Sequence, residues 1–264
     1  MKFKFKRVCA IVYRHILILK DGFEVFNFFY WTLLDILLFG FLGRYMQMQQ
    51  GGDPLNVTVL LANLTLWYIV VRATLMISLS LMREFYDYNF VAIFSTPLTI
   101  IEWLIACIIL GTIGALINFV IGCALVFLLF GFNVLSLGLF LIPVIISLLI
   151  SGCALGFLTS TILVTWGKKA ETLAFALAWF FVPFSGAYYS ASILPPKVIA
   201  IAKYVPMYHA FESVRAFVHG KEYISHLIKS FQLNIICLII IVLVFIFMFN
   251  KSKEKGLTKL EVNS

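Results

Sequence analysis

Hydrophobic residues fall in long runs along this chain, and polar residues gather in short clusters between them. Runs at Phe23–Gly43, Val57–Leu81, Thr99–Phe130, Leu135–Trp166, Thr172–Tyr189 and Phe231–Phe249 each reach the roughly 17–25 residues needed to cross a bilayer as a helix. The third and fourth are long enough to tilt or to protrude at one end. Residues 1–22 follow a different pattern. Val8, Ile11, Val12, Ile16 and Leu19 recur at helical spacing, with lysine and arginine on the other faces. That pattern predicts an amphipathic helix on the inner membrane surface. Arg14 and His15 interrupt its apolar stretch and no small-residue cleavage site follows, which argues against a signal peptide.

The breaks between runs carry their own predictions. Arg83-Glu84-Phe85-Tyr86-Asp87-Tyr88-Asn89 and Ser95-Thr96-Pro97-Leu98 frame a short helix that ends before Pro97. Gly131-Phe132-Asn133 closes the third run as a tight turn. Near the end of the fifth run, Pro183-Phe184-Ser185-Gly186 removes a backbone donor and permits a bend. Two short amphipathic helices are predicted beyond it, at Lys197–Lys203 and His209–Val218. Backbone that leaves the helix at membrane depth survives only under protein or water cover. The fold class expected is therefore all-α integral membrane: six transmembrane helices, an N-terminal interface helix and an outer re-entrant helical region before the last span. The chain reads as one domain over 1–264, with a cytoplasmic loop at 83–97, the outer region at 183–230 and a tail at 250–264.

Composition agrees. The chain is 62% hydrophobic and only 12% charged, about half the charge of an ordinary soluble domain. Its net charge of +8 is not a nucleic-acid signal, because the basic residues cluster at span ends. Lys2, Lys4, Lys6, Arg7, Arg14 and Lys20 lie at one end of the chain, Lys251, Lys253, Lys255 and Lys259 at the other, and Lys168 and Lys169 between the fourth and fifth runs. The positive-inside rule places all three groups, and both termini, in the cytoplasm. A bacterial or archaeal cytoplasmic membrane is the expected location. Lys197, Lys203, Arg215, Lys221 and Lys229 in the last outer loop run against that rule, which binds long loops less strictly. The five cysteines form no CxxC, and four lie in apolar runs as small buried hydrophobes.

Motifs for chemistry are sparse. The sequence holds no GxxxxGK[ST], HExxH, GxSxG or EF-hand pattern. No cofactor, metal or catalytic residue is expected on this chain. His209 and Glu212 share a helix face, but a metal site needs three or four converging ligands. Three charges stand inside apolar runs: Asp35, Arg72 and Glu102. Intramembrane charges are costly and usually pair or line a polar path. A rise of about 1.5 Å per residue puts Asp35 about 18 Å and Arg72 about 13 Å from the inner face. Arg72 is therefore expected to pair with Asp35 or with Glu102. Gly152 and Gly156 form a GxxxG on the fourth run, suited to close helix packing within the chain or to a dimer seam.

In their order and spacing, four pieces resemble the membrane subunit of type-2 ATP-binding-cassette exporters. They are the basic amphipathic helix ahead of six spans, the Arg83-Glu84…Ser95-Thr96-Pro97-Leu98 segment, Ser185-Gly186…Leu194-Pro195-Pro196, and Pro206-Met207…Glu212…Arg215. The resemblance covers nearly the whole chain. It implies a half-transporter that pairs with a second permease copy, identical or not, and docks on a separate ATPase subunit that binds ATP and Mg. Arg83, Glu84, Phe85, Tyr86 and Asp87 would be the coupling contact, and Pro183, Phe184, Ser185 and Gly186 the outer gate. The cargo expected is amphipathic or apolar: a drug, a lipid or a lipid-linked glycan. The acid within Phe28-Phe29-Tyr30-Trp31-Thr32-Leu33-Leu34-Asp35 departs from the polysaccharide exporters of that family. A stand-alone secondary transporter or channel is the competing reading. A membrane-embedded lipid-modifying enzyme would need a polar cluster that the sequence lacks.

Overall fold

A computed structural model describes residues 3–19, 22–50, 54–87, 89–190 and 193–254. Every regular element among them is helical. In chain order the α-helices are α1 (Phe5–Leu19), α2 (Gly22–Gln50), α3 (Pro54–Tyr86), α4 (Phe90–Ser95), α5 (Ile100–Phe130), α6 (Leu141–Trp166), α7 (Glu171–Phe180), α8 (Val182–Ser185), α9 (Pro196–Ala202), α10 (Pro206–Val218) and α11 (Ile224–Glu254). Among the described residues, four stretches are helical, long and apolar enough to cross a membrane: Asn56–Glu84, Ile100–Phe130, Val134–Trp166 and Ile224–Glu254. They coincide with four of the six expected spans. The first expected span lies within α2, a helix of 29 residues.

The fifth expected span, Thr172–Tyr189, is interrupted near its end, where Pro183 and Gly186 are expected to bend it. It is built of two helices in succession, beginning with the ten-residue α7. The one-turn α8 then follows, with Pro183 in its first turn. Proline cannot donate to the carbonyl four residues back, so the helix breaks there. Gly186 ends α8 with φ +70, a left-handed conformation that glycine adopts without a Cβ clash. The fourth span also differs: a 3₁₀ segment, Val134–Phe140, leads into α6 at Leu141. The two helices expected beyond the fifth run are present as α9 and α10.

Helix α3 is the axis of the molecule, packed against α5 and α6 and touched by α2 and α10. Close approach is built from glycines. A Cβ on Gly152 would sit 2.7 Å from Ala73 Cβ and 2.9 Å from the Val70 carbonyl oxygen, and one on Gly156 would sit 2.8 Å from Ile77 Cβ. The GxxxG of α6 therefore packs inside the chain, against α3. Thr74 Oγ1 donates to the Gly152 carbonyl at 3.1 Å across the same seam.

The α6–α11 seam is polar instead. Asn234 Nδ2 donates to the Ser147 carbonyl and hydroxyl, both at 2.9 Å, and Ser151 Oγ donates to Asn234 Oδ1 at 2.7 Å. Ser230 Oγ lies 2.7 Å from Ser147 Oγ and donates to the Pro206 carbonyl at 2.8 Å, which fixes the start of α10. Hydrogen bonds of this kind join helices where lipid supplies no hydrophobic drive between them.

Candidate functional site

Three polar constellations stand out on this apolar frame, one at each end of the bundle and one between.

At the α1 end, four residues of the amphipathic helix and its lead-in clasp the bundle. Arg14 binds Glu84 side-on, Nη1 to Oε1 at 2.9 Å and Nη2 to Oε2 at 3.0 Å. Arg7 donates to the Pro97 carbonyl at 2.6 Å and approaches Glu102 at 3.4 Å, while the Lys4 backbone N–H donates to Glu102 at 2.6 Å. His15 is buried beside the pair, its Nδ1 at 3.0 Å from the Ile11 carbonyl and its Nε2 at 3.9 Å from Glu84. Burial pushes this imidazole below its ordinary pKa, against the opposing pull of the Ile11 carbonyl and the Glu84 carboxylate. Thus α1 does not merely lie on a surface; its basic face is docked on α3 and α5.

The clasp revises the expected roles of two acids. Glu84 is 1% exposed and faces Arg14, so it offers no free charge to a partner. Tyr86 and Asp87 are exposed at the tip of the α3–α4 turn, and Tyr86 donates to Glu171 at the start of α7. Arg83 lies in the last turn of α3, as does Phe85. Glu102 is not an isolated intramembrane charge. It caps α5, accepting from the Thr99 N–H at 2.8 Å while its own N–H donates to Thr99 Oγ1 at 3.3 Å. That capping box was legible as Thr99-x-x-Glu102 ahead of an apolar run, a signal the intramembrane-charge reading passed over.

Within the bundle, Asp35 Oδ2 accepts from the Tyr68 hydroxyl at 2.6 Å and from the Tyr188 hydroxyl at 3.4 Å. The Tyr68 hydroxyl also lies 2.8 Å from the Trp31 carbonyl. Nearby, Thr32 Oγ1 donates to Asn118 Oδ1 at 3.0 Å, joining α2 to α5. Arg72 is buried on α3. Among the described residues, none of the hydrogen bonds to Asp35 or Glu102 comes from Arg72. The expected pair is replaced by tyrosine hydroxyls on one acid and by the α1 clasp on the other. No sequence signal could have found the Asp35 cluster, whose partners are 33 and 153 residues away.

At the opposite end, Arg215 on α10 holds the turn after α8. Its Nη2 donates to the carbonyls of Gly186 and Tyr189, both at 2.9 Å, and its Nη1 pairs with Glu212. Pro183, Phe184, Ser185 and Gly186 are thereby fastened to α10. The Ser185 hydroxyl closes the turn between the Val182 carbonyl and the Ala187 N–H, and Tyr189 donates to the Pro183 carbonyl at 2.7 Å. Between this lip and α2–α3 opens a cleft of about 800 Å³, with Gln47, Asn63, Tyr188, Arg215 and His226 on its walls. Asn63 is wholly buried, and neither atom of its amide has a hydrogen-bond partner. His209 is tied to the Lys203 carbonyl at 2.9 Å, away from any shared ligand with Glu212. Among the described residues no three His, Cys, Asp or Glu side chains converge as a metal site.

Fold and polar interior together define the class: a helical protein that crosses a membrane several times. Neither a protein-family model nor a curated protein sequence matches the chain.

Proposed function

We propose that the chain is the permease subunit of an ATP-driven exporter. In this reading it spans the membrane six times, with α1 as its inner interface helix and α8–α10 forming the re-entrant outer lip. It pairs with a second permease copy, docks on a separate ATPase that holds ATP and Mg, and forms the path for an amphipathic or apolar cargo. Both termini face the cytoplasm.

The observation that carries the reading is the clasped α3–α4 turn. A contact that receives force from another protein needs an exposed tip on a rigid base. Tyr86 and Asp87 are exposed, while one turn back Glu84 is buried under a side-on arginine pair. Because α3 is also the axis of the bundle, displacement of that tip would be transmitted along it toward the Arg215 lip. Rigid-body switching of this kind is a common route to alternating access. The same polypeptide order, from clasped turn to proline-broken fifth run to paired short helices, supports the resemblance to type-2 exporters.

Affinity purification of the tagged chain from its native membranes, with mass spectrometry of what accompanies it, tests the reading. A near-stoichiometric ATPase bearing a P-loop is expected, and it should be lost from Asp87→Lys and Tyr86→Ala variants that still fold. Recovery of the chain without any ATPase would contradict the proposal. Glu84 is a poor probe, because its replacement would undo the α1 clasp.

A further inference from the structure

The geometry points to Asp35 as the anchor of a binding site for amphipathic organic cations. Both hydrogen bonds to this acid come from phenol hydroxyls and fall on the same oxygen, Oδ2. Among the described residues, no hydrogen bond reaches Oδ1 and no lysine, arginine or histidine forms an ion pair with the carboxylate. Two buried acids among the described residues are treated differently: Glu84 and Glu102 each face an arginine of α1. Asp35 alone of these three is served only by neutral donors, and it is partly exposed on α2.

An acid within a membrane span is expensive to keep, and it persists where it has work to do on a pathway. Its surroundings suit a cation with an apolar body. Tyr188 stacks edge-on with Phe39 at 4.6 Å between centroids and with Trp67 at 6.5 Å. Tyr68 joins them through its hydroxyl on Asp35. Aromatic faces attract cations most strongly where water is excluded. Tyr188 also lines the 800 Å³ cleft, so one ring borders both the acid and the open end of the molecule. As an assignment of cargo this inference rests on the permease reading; as a binding site it rests only on α2 being one of the membrane spans.

The test separates the two. Equilibrium binding of tetraphenylphosphonium and of tetraphenylborate, matched in shape and opposite in charge, is measured on the full purified chain without any ATPase. Tetraphenylphosphonium should bind in preference to the borate. Asp35→Asn should weaken it at least tenfold, Asp35→Glu should retain it, and both variants should leave borate binding unchanged. Should Asp35→Asn fail to fold, the wild-type protein serves: tetraphenylphosphonium should protect Asp35 from a hydrophobic carbodiimide, read by mass spectrometry. Equal binding of the two probes, undiminished cation binding by Asp35→Asn, or labelling of Asp35 at the same rate with and without the cation would each overturn the site. Cation binding by a chain that affinity purification recovers with no ATPase would leave the site standing and remove only the exporter reading.

Discussion

Helices α3 and α11 are close in length, yet they obey opposite rules. Of the four helices suited to span a membrane, α3 is the least apolar and α11 the most. In its most apolar window 89% of α3 is buried, against 11% of α11. A protein in water would do the reverse. Here the helix carrying Asn63, Thr65, Arg72, Thr74, Ser78 and Ser80 is shielded on all sides. Ile235, Ile236, Ile239, Ile240, Leu243 and Phe247 of α11 are each more than half exposed. Lipid accepts the isoleucines at no cost and penalises the hydroxyls and amides, which are kept inside the protein. The comparison explains why function gathers along α3, which reaches from the α1 clasp past the Asp35 cluster to the floor of the cleft.

Three changes probe that contrast. The largest effect is expected from a charge on the lipid face: Ile239→Asp should cost about 2.5–3.5 kcal/mol of insertion free energy, read as lost membrane integration. Next is a side chain forced into the α3 seam. Gly152→Val places a branched carbon where even a Cβ meets the Val70 carbonyl at 2.9 Å, and overpacking of this kind costs about 1–3 kcal/mol. The thermal midpoint in detergent should fall, whereas Ile236→Leu on α11 should leave it in place. The smallest concerns the clasp. His15 has its pKa lowered by burial, so the unfolded state takes up a proton that the folded state resists. Stability should therefore hold above the ordinary imidazole value and decline as the pH falls below about 6.5. A melting series from pH 8 to pH 5 checks this, and His15→Asn should flatten the decline.

Much of this organisation was legible from the chain alone, because runs of apolar residues and their breaks obey local rules. Pro183 and Gly186 marked the end of the fifth run, and Pro196 and Pro206 lead α9 and α10, the two short helices expected. Local rules also explain one error. Glu102 looked like an intramembrane charge because the apolar run was counted from its edge, where a capping box belongs. What stayed illegible were partners distant in sequence. Arg14 with Glu84 spans 70 residues, and Tyr188 with Asp35 spans 153. Depth arithmetic along separate helices cannot tell which faces turn toward each other, so Arg72 was matched to acids that other side chains hold.

The inverted burial of α3 and α11 is the claim on which the rest depends. Photo-crosslinking of the unmodified protein in bilayers that contain a diazirine-bearing phospholipid tests it directly. Label mapped by mass spectrometry should concentrate on residues 235–247 and spare residues 61–74. Labelling of 61–74 at or above the level of 235–247 would contradict the account.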